Sequence, residues 1–276
     1  MKLTLALSML ILGACSSNKP AEVTKPKAVL PTTLQEAVSS NYRTDENKKR
    51  DVYRHPLETL AFFGLKPEMT VVEVYPGSGW YTEIIAPFVA QKGKYIMAAP
   101  TSNPEKPYTV ANELKIKEWM TRNPEVNQNV TLATFDLPKK TDIAPDNSAD
   151  MVVTFRNVHN WMTIKAENDA FNTFYKALKP GGVLGVVEHR EIPTKKDPKA
   201  KSGYVREKDV IDMALKAGFK LVAKSEINAN PKDTKNHPEG VWTLPPSLKL
   251  GEKDKEKYLA IGESDRMTLK FIKPLK

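Results

Sequence analysis

Strand-length apolar runs alternate with stretches of helical spacing along this chain, and that alternation leaves few folds open. Thr70-Val71-Val72-Glu73-Val74 is a short β-branched run, Gly93 to Ala99 a second and Val130 to Phe135 a third. Asp150 to Phe155, Gly182 to Glu188 and Phe219 to Ala223 follow, and Met267 to Ile272 supplies a seventh near the C-terminus. Between them, apolar residues recur at helical spacing over Arg54 to Phe63, Trp80 to Val89, Tyr108 to Arg122, Ala166 to Leu178 and Glu207 to Ala217. Gly64 and Gly218 stop the first and last of these. Parallel strands need crossover connections, and helices in those connections bury both faces of the sheet. The pattern predicts an α/β fold: a doubly wound, mostly parallel seven-stranded sheet with helices on both faces, over residues 39–276.

The first residues obey another pattern. Met1-Lys2, the apolar run Leu3 to Leu12 and the small pair Gly13-Ala14 read as a secretory signal over residues 1–14, too short to span a bilayer. Leu12-Gly13-Ala14-Cys15 resembles a bacterial lipobox, and Cys15 is the only cysteine in the chain. The alternative is an ordinary signal with an incidental cysteine. The lipobox predicts cleavage before Cys15, a lipid on its thiol and, with no Asp after it, an exported lipoprotein of the outer membrane facing the periplasm. Residues 15–38, rich in Ser, Pro, Lys and Thr, read as a flexible tether. No later apolar run reaches the roughly 18–20 residues of a spanning helix, so the lipid alone is expected to hold the chain to a membrane.

Composition narrows the partners. With 40% apolar and 27% charged residues the chain is globular, and its net charge of +9 is spread along the sequence as on a solvated surface. No nucleic-acid partner is expected. One cysteine, and four histidines (His55, His159, His189, His237) without two inside one helical turn, exclude a disulfide scaffold and the zinc-finger and HExxH patterns, so no metal is expected.

Tyr75-Pro76-Gly77-Ser78-Gly79 makes a tight turn directly after a strand and before a helix, where glycines let backbone amides approach a ligand. Together with Asp136 after the third strand, Asp150 to Val153 followed by Asn157-Val158-His159, and Leu178-Lys179-Pro180-Gly181-Gly182 before the fifth, this turn resembles class I S-adenosylmethionine-dependent methyltransferases from about residue 55 to 225. Arg50-Asp51, Arg54-His55-Pro56, Pro76 to Tyr81 and Phe155 to Trp161 look more narrowly like exported predicted methyltransferases of unassigned substrate.

The resemblance implies S-adenosylmethionine as cofactor. Glu73 would order the turn and the methionine end, Pro76, Gly77, Ser78, Gly79 and Asn157 would surround it, and Asp136 would take the adenine amino group. Two departures stand out: Tyr75 replaces a glycine common in relatives, and Ala98-Ala99-Pro100 lacks the carboxylate that usually holds the ribose.

Methyl transfer needs alignment and, for oxygen or nitrogen acceptors, removal of a proton. His159, Asn160 and His189 follow the fourth and fifth strands, whose carboxyl ends face the crevice of such sheets, and are the candidate catalytic residues. For both histidines the alternative is a ring that packs and holds its loop. Trp80, Tyr81 and Trp161 are candidate pocket walls, and the polar excursions near 193–203 and 228–263 are candidate lids. The expected function is methyl transfer to a small or envelope-associated acceptor. S-adenosylmethionine is made in the cytoplasm, so a non-enzymatic envelope binding module on the same fold is the alternative.

Overall fold

In the computed structural model, residues 29–275 are described; the leader, Cys15 and most of the tether lie outside them. Eight strands form one mixed sheet: β1 (Thr70–Val74), β2 (Lys94–Ala99), β3 (Val130–Thr134), β4 (Ala149–Phe155), β5 (Leu178–Glu191), β6 (Val205–Arg206), β7 (Lys220–Ser225) and β8 (Arg266–Ile272). Their order is β3-β2-β1-β4-β5-β8-β7, with the two-residue β6 beside β5. Strands β1 to β5 pair in parallel, and β8 runs antiparallel between β5 and β7. All seven expected strands are present. The eighth, β6, is too short to leave a periodic signal. β5 starts earlier than expected because Leu178 already pairs with Ala149 ahead of a register shift.

Side chains alternate across a strand, so β1 feeds two cores. Val72 and Val74 join Phe135, Trp161, Phe171, Phe174, Leu184 and Phe271 on one face. Val71 joins Leu60, Phe63, Ile84, Phe88, Tyr95 and Trp119 on the other. Glu73 shares the Val71 face and is therefore carried into an apolar layer.

The N-terminal part adds helices that the sequence reading lacked. Leu34–Ser39, inside the expected tether, is a helix closed by a capping box in which Thr33 and Glu36 bond each other's backbone. Its Ala37 is fully buried. No helix among the described residues is long and apolar enough to cross a membrane.

The excursion at 228–263 is ordered by one carboxylate. Asp233, 2% exposed, accepts from Tyr204 Oη (2.9 Å), His237 Nε2 (2.8 Å) and the backbone N–H of Lys235 (2.9 Å) and Asp265 (2.8 Å). The excursion holds a 3-10 turn at Gly240–Thr243 and a helix at Lys255–Ile261.

A candidate ligand site at the carboxyl ends of the strands

The turn after β1 is built from backbone that L side chains rarely adopt. Tyr75, Gly77 and Gly79 have φ of +52°, +61° and +91°. Tyr75 N–H donates to Ala98 O (2.8 Å), and its ring leans edge-on against Phe135 and Trp161, centroids 5.6 and 5.7 Å away. The phenol that replaces the common glycine thus packs sideways, and burial pushes its pKa up to about 12. A Cβ on Gly77 would meet nothing within 4 Å. One on Gly79 would make ordinary contacts with Ile116 and Thr82 at 3.6 Å, so its glycine answers only the backbone angle.

Two cavities adjoin at this turn. The larger, about 370 Å³, lies over the ends of β1, β2 and β3, with Met97, Ile116 and Leu132 among its apolar walls and Glu113 among its polar ones. The smaller, about 130 Å³, is lined by Glu73, Trp80, Tyr81, Phe155 and Arg156. Tyr75, Pro76, Gly77 and Asn157 line both; Ser78 and Gly79 line neither. Asn157 closes the seam from β4, its Nδ2 donating to Val74 O and Thr154 Oγ1, each at 3.0 Å.

Three carboxylates stand at these cavities in different states. Glu73, 2% exposed, accepts through Oε2 from Thr82 Oγ1 (2.9 Å) and from the Tyr95 hydroxyl, while Oε1 makes no hydrogen bond among the described residues. Burial raises its pKa to about 7 against those two bonds. Asp136 is engaged on both oxygens by the backbone N–H (2.8 Å) and hydroxyl of Thr101 and reaches the larger cavity only through that residue. Glu113, which sequence reasoning missed, projects from the Pro107–Arg122 helix into the cavity beside Ser102. Hydrogen bonds from Lys117 and Ser102 hold its pKa below the usual range.

No protein-family model matches the sequence, and no curated protein is significantly similar to it. Solved structures do share its fold. A SAM-dependent methyltransferase from Aquifex aeolicus is 18% identical over 84% of this chain and 100% of its own, with a TM-score of 0.53. The cyclase SpnF is 17% identical over 88% of this chain and 92% of its own, TM-score 0.53. The glycopeptide N-methyltransferase MtfA, solved with sinefungin, is 12% identical over 80% and 93%, TM-score 0.50. The fold is that of class I S-adenosylmethionine-dependent methyltransferases.

On this methyltransferase fold, the residues after β4 and at the end of β5 meet behind the cavities. Glu188, fully buried, accepts on Oε2 from the backbone N–H of Val158 (2.6 Å) and His159 (3.3 Å), capping the Val158–Thr163 helix. Its Oε1 accepts from the His189 backbone (2.8 Å) and lies 3.1 Å from His159 Nδ1. A buried carboxylate there fixes Nδ1 as the protonated nitrogen and leaves Nε2 as the basic one. His159 is 6% exposed, has Trp242 of the excursion 6.1 Å from its ring, and lines neither cavity. His189 touches Ser264 through Nδ1, and burial, then the charges of His159, Arg266, Arg156 and Arg54, keep it neutral well below the usual histidine range. Asn160 is exposed and lines neither cavity.

His159, Glu188 and His189 present ligand atoms within 4.8 Å of one another, a grouping invisible in sequence because β4 and β5 bring it together. The carboxylate is already filled by four donors, and guanidiniums lie on the His189 side. A cation would have to displace those bonds and face like charge.

Proposed function

We propose that this chain is an S-adenosylmethionine-dependent methyltransferase acting on a small or envelope-associated acceptor. The observation that carries the reading is Gly77, with open space over its Cα where two cavities join at the switch between β1 and β4. In doubly wound sheets that crevice is where ligands bind. The cofactor supplies a methyl group made electrophilic by a sulfonium. The larger cavity suits an adenosine in volume and in its apolar walls, with Asn112, Ser102 and Glu113 at hand for a ribose. Glu113 thus stands in for the carboxylate that β2 lacks, and Asp136 shapes the wall by holding Thr101. Glu73 Oε1 and the backbone of Pro76 and Gly77, at the seam the two cavities share, would hold the amino-acid end and leave the Arg156 side of the small cavity open.

The chain's own contribution to transfer is alignment, and a proton acceptor for acceptors that need one. His159 Nε2, with Nδ1 held by Glu188, is the chain's candidate for that role; its ring lies behind the two cavities, outside their lining, with His189 beside it at 5.5 Å between ring centroids, so the acceptor atom has to reach past the cavity wall to meet it. The lipobox-like Leu12 to Cys15 supports a lipid anchor on the periplasmic face of the outer membrane.

A binding module on the same fold is favoured by one observation: both Asp136 oxygens are spent on Thr101. Calorimetric titration of the whole chain with S-adenosylmethionine and S-adenosylhomocysteine decides between them. Saturable binding of both supports the enzyme; no heat at millimolar ligand leaves the binding module.

A further inference from the structure

The arginines behind the small cavity outnumber their counter-charges. Arg50, Arg54 and Arg266 converge on Glu263: Arg50 Nε donates to Oε1 at 2.7 Å, and Arg54 Nε and Arg266 Nη2 donate to Oε2 at 3.1 and 2.7 Å. Burial opposes ionisation of Glu263, yet Arg266, Arg54, Arg50 and Arg156 together hold its pKa down to about 2. Arg54 and Arg266 are 3% and 1% exposed.

Arg156 joins this group without a partner of its own. It lines the small cavity, makes no ion pair among the described residues, and has its Nη1 enclosed with no hydrogen-bond acceptor, as has Arg54 Nη1. Its backbone is held at φ +63° by a 2.7 Å bond from its N–H to Val187 O. Burial, then Arg266, lower its pKa to about 10, so it remains charged at neutral pH. Arg156 is half-buried, so the rest of its guanidinium can meet a ligand; an enclosed guanidinium nitrogen without an acceptor is costly, and the planar fork matches a carboxylate or a phosphate.

Four guanidiniums face one fully ionised carboxylate, and Glu73, part-ionised near neutrality, offsets at most one more. S-adenosylmethionine does not supply the missing charge. Its carboxylate is outnumbered by an ammonium and a sulfonium, so as a whole it adds to the positive surplus. We infer that the small cavity receives an oxyanion of the methyl acceptor, a carboxylate or a phosphate, on Arg156, with Arg54 and Arg266 behind it. Trp80, Tyr81 and Phe155 give the rest of that acceptor an aromatic wall, with Tyr81 stacked on Phe155 at 3.5 Å and Arg54 lying 4.7 Å over Trp80. The identity of the anion as the acceptor's rests on the methyltransferase reading; the anion site does not.

The test is calorimetric titration of the whole chain, without cofactor, using benzoate and inorganic phosphate as probes and benzamide as the neutral control. Benzoate or phosphate should bind and benzamide should not. Arg156→Gln should weaken the anion about tenfold or more, Arg156→Lys less, and both should keep S-adenosylhomocysteine affinity within about threefold. No anion binding at tens of millimolar, or equal binding by wild type and Arg156→Gln, overturns the inference. So does an Arg156→Gln protein that loses S-adenosylhomocysteine but keeps 5′-methylthioadenosine, which lacks the carboxylate, because the guanidinium then serves the cofactor. Anion binding without S-adenosylhomocysteine binding removes the methyltransferase reading alone, and the reverse result removes the anion site alone.

Discussion

Replacing Glu73 with glutamine isolates the cost of a carboxylate carried into an apolar layer. Folding raises its pKa from 4.5 to about 7, so between those values the native protein holds a proton that the unfolded chain has released. Stability from this group is therefore fully present below about pH 4.5 and is lost as pH rises through about 7. That rise corresponds to on the order of 3 kcal/mol, and with Glu73 2% exposed little of it is screened by solvent. The Glu73→Gln amide keeps an oxygen acceptor for Thr82 and Tyr95 and does not titrate. Urea unfolding of both proteins at pH 5, 6, 7, 8 and 9 should give a difference that moves by about 2.5 kcal/mol in favour of the variant between pH 5 and pH 8. Taking the difference cancels the titration of every other group. A difference that stays flat across that range refutes the reasoning.

Other outcomes follow from the same geometry. Ala at Gly77 or at Gly79 should each cost about 1–2 kcal/mol for the left-handed backbone, but only Gly77→Ala should weaken S-adenosylhomocysteine, as calorimetry and melting curves would show. Asp233→Ala strands Tyr204, His237 and the Asp265 amide, should cost about 3–5 kcal/mol, and should open residues 228–263 to limited proteolysis; unchanged protease resistance would refute its role as the hub. His159→Gln should keep cofactor affinity within a few-fold and lose about 10²–10⁴-fold in turnover once an acceptor is found; unaltered turnover removes His159 as the base. Cys15→Ser should leave an uncleaved chain without lipid, which mass spectrometry of the N-terminus checks.

The sheet was legible because its central strands are apolar on both faces and its helices carry a 3.6-residue stripe; Thr70–Val74 and Lys94–Ala99 fall within a residue of expectation. The Val158–Thr163 helix was missed because it is one and a half turns long and is held by Glu188, a residue 30 positions away. Gly77, in the turn, and Asn157, just after a strand, line both cavities, as their places in the sequence led one to expect of crevice residues. Glu113 was hidden because helical spacing gives a helix but not the side of it that meets a cavity. The arginine group is equally distributed in sequence, from Arg50 to Arg266, and Glu263 was read as part of a polar lid rather than as its counter-charge.

The antiparallel β8 has a consequence for how the molecule comes into being. Its residues, Arg266–Ile272, follow both β5 and β7 in the chain yet sit between them, so the sheet stays in two pieces until β8 has been made. Glu263, just before it, is what the N-terminal arginines Arg50 and Arg54 bind, more than 200 residues away. Arg50 and Arg54 emerge long before Glu263 and stay without it until that residue is made. A chain cut before Arg266 should therefore fail to join β7 to the rest of the sheet.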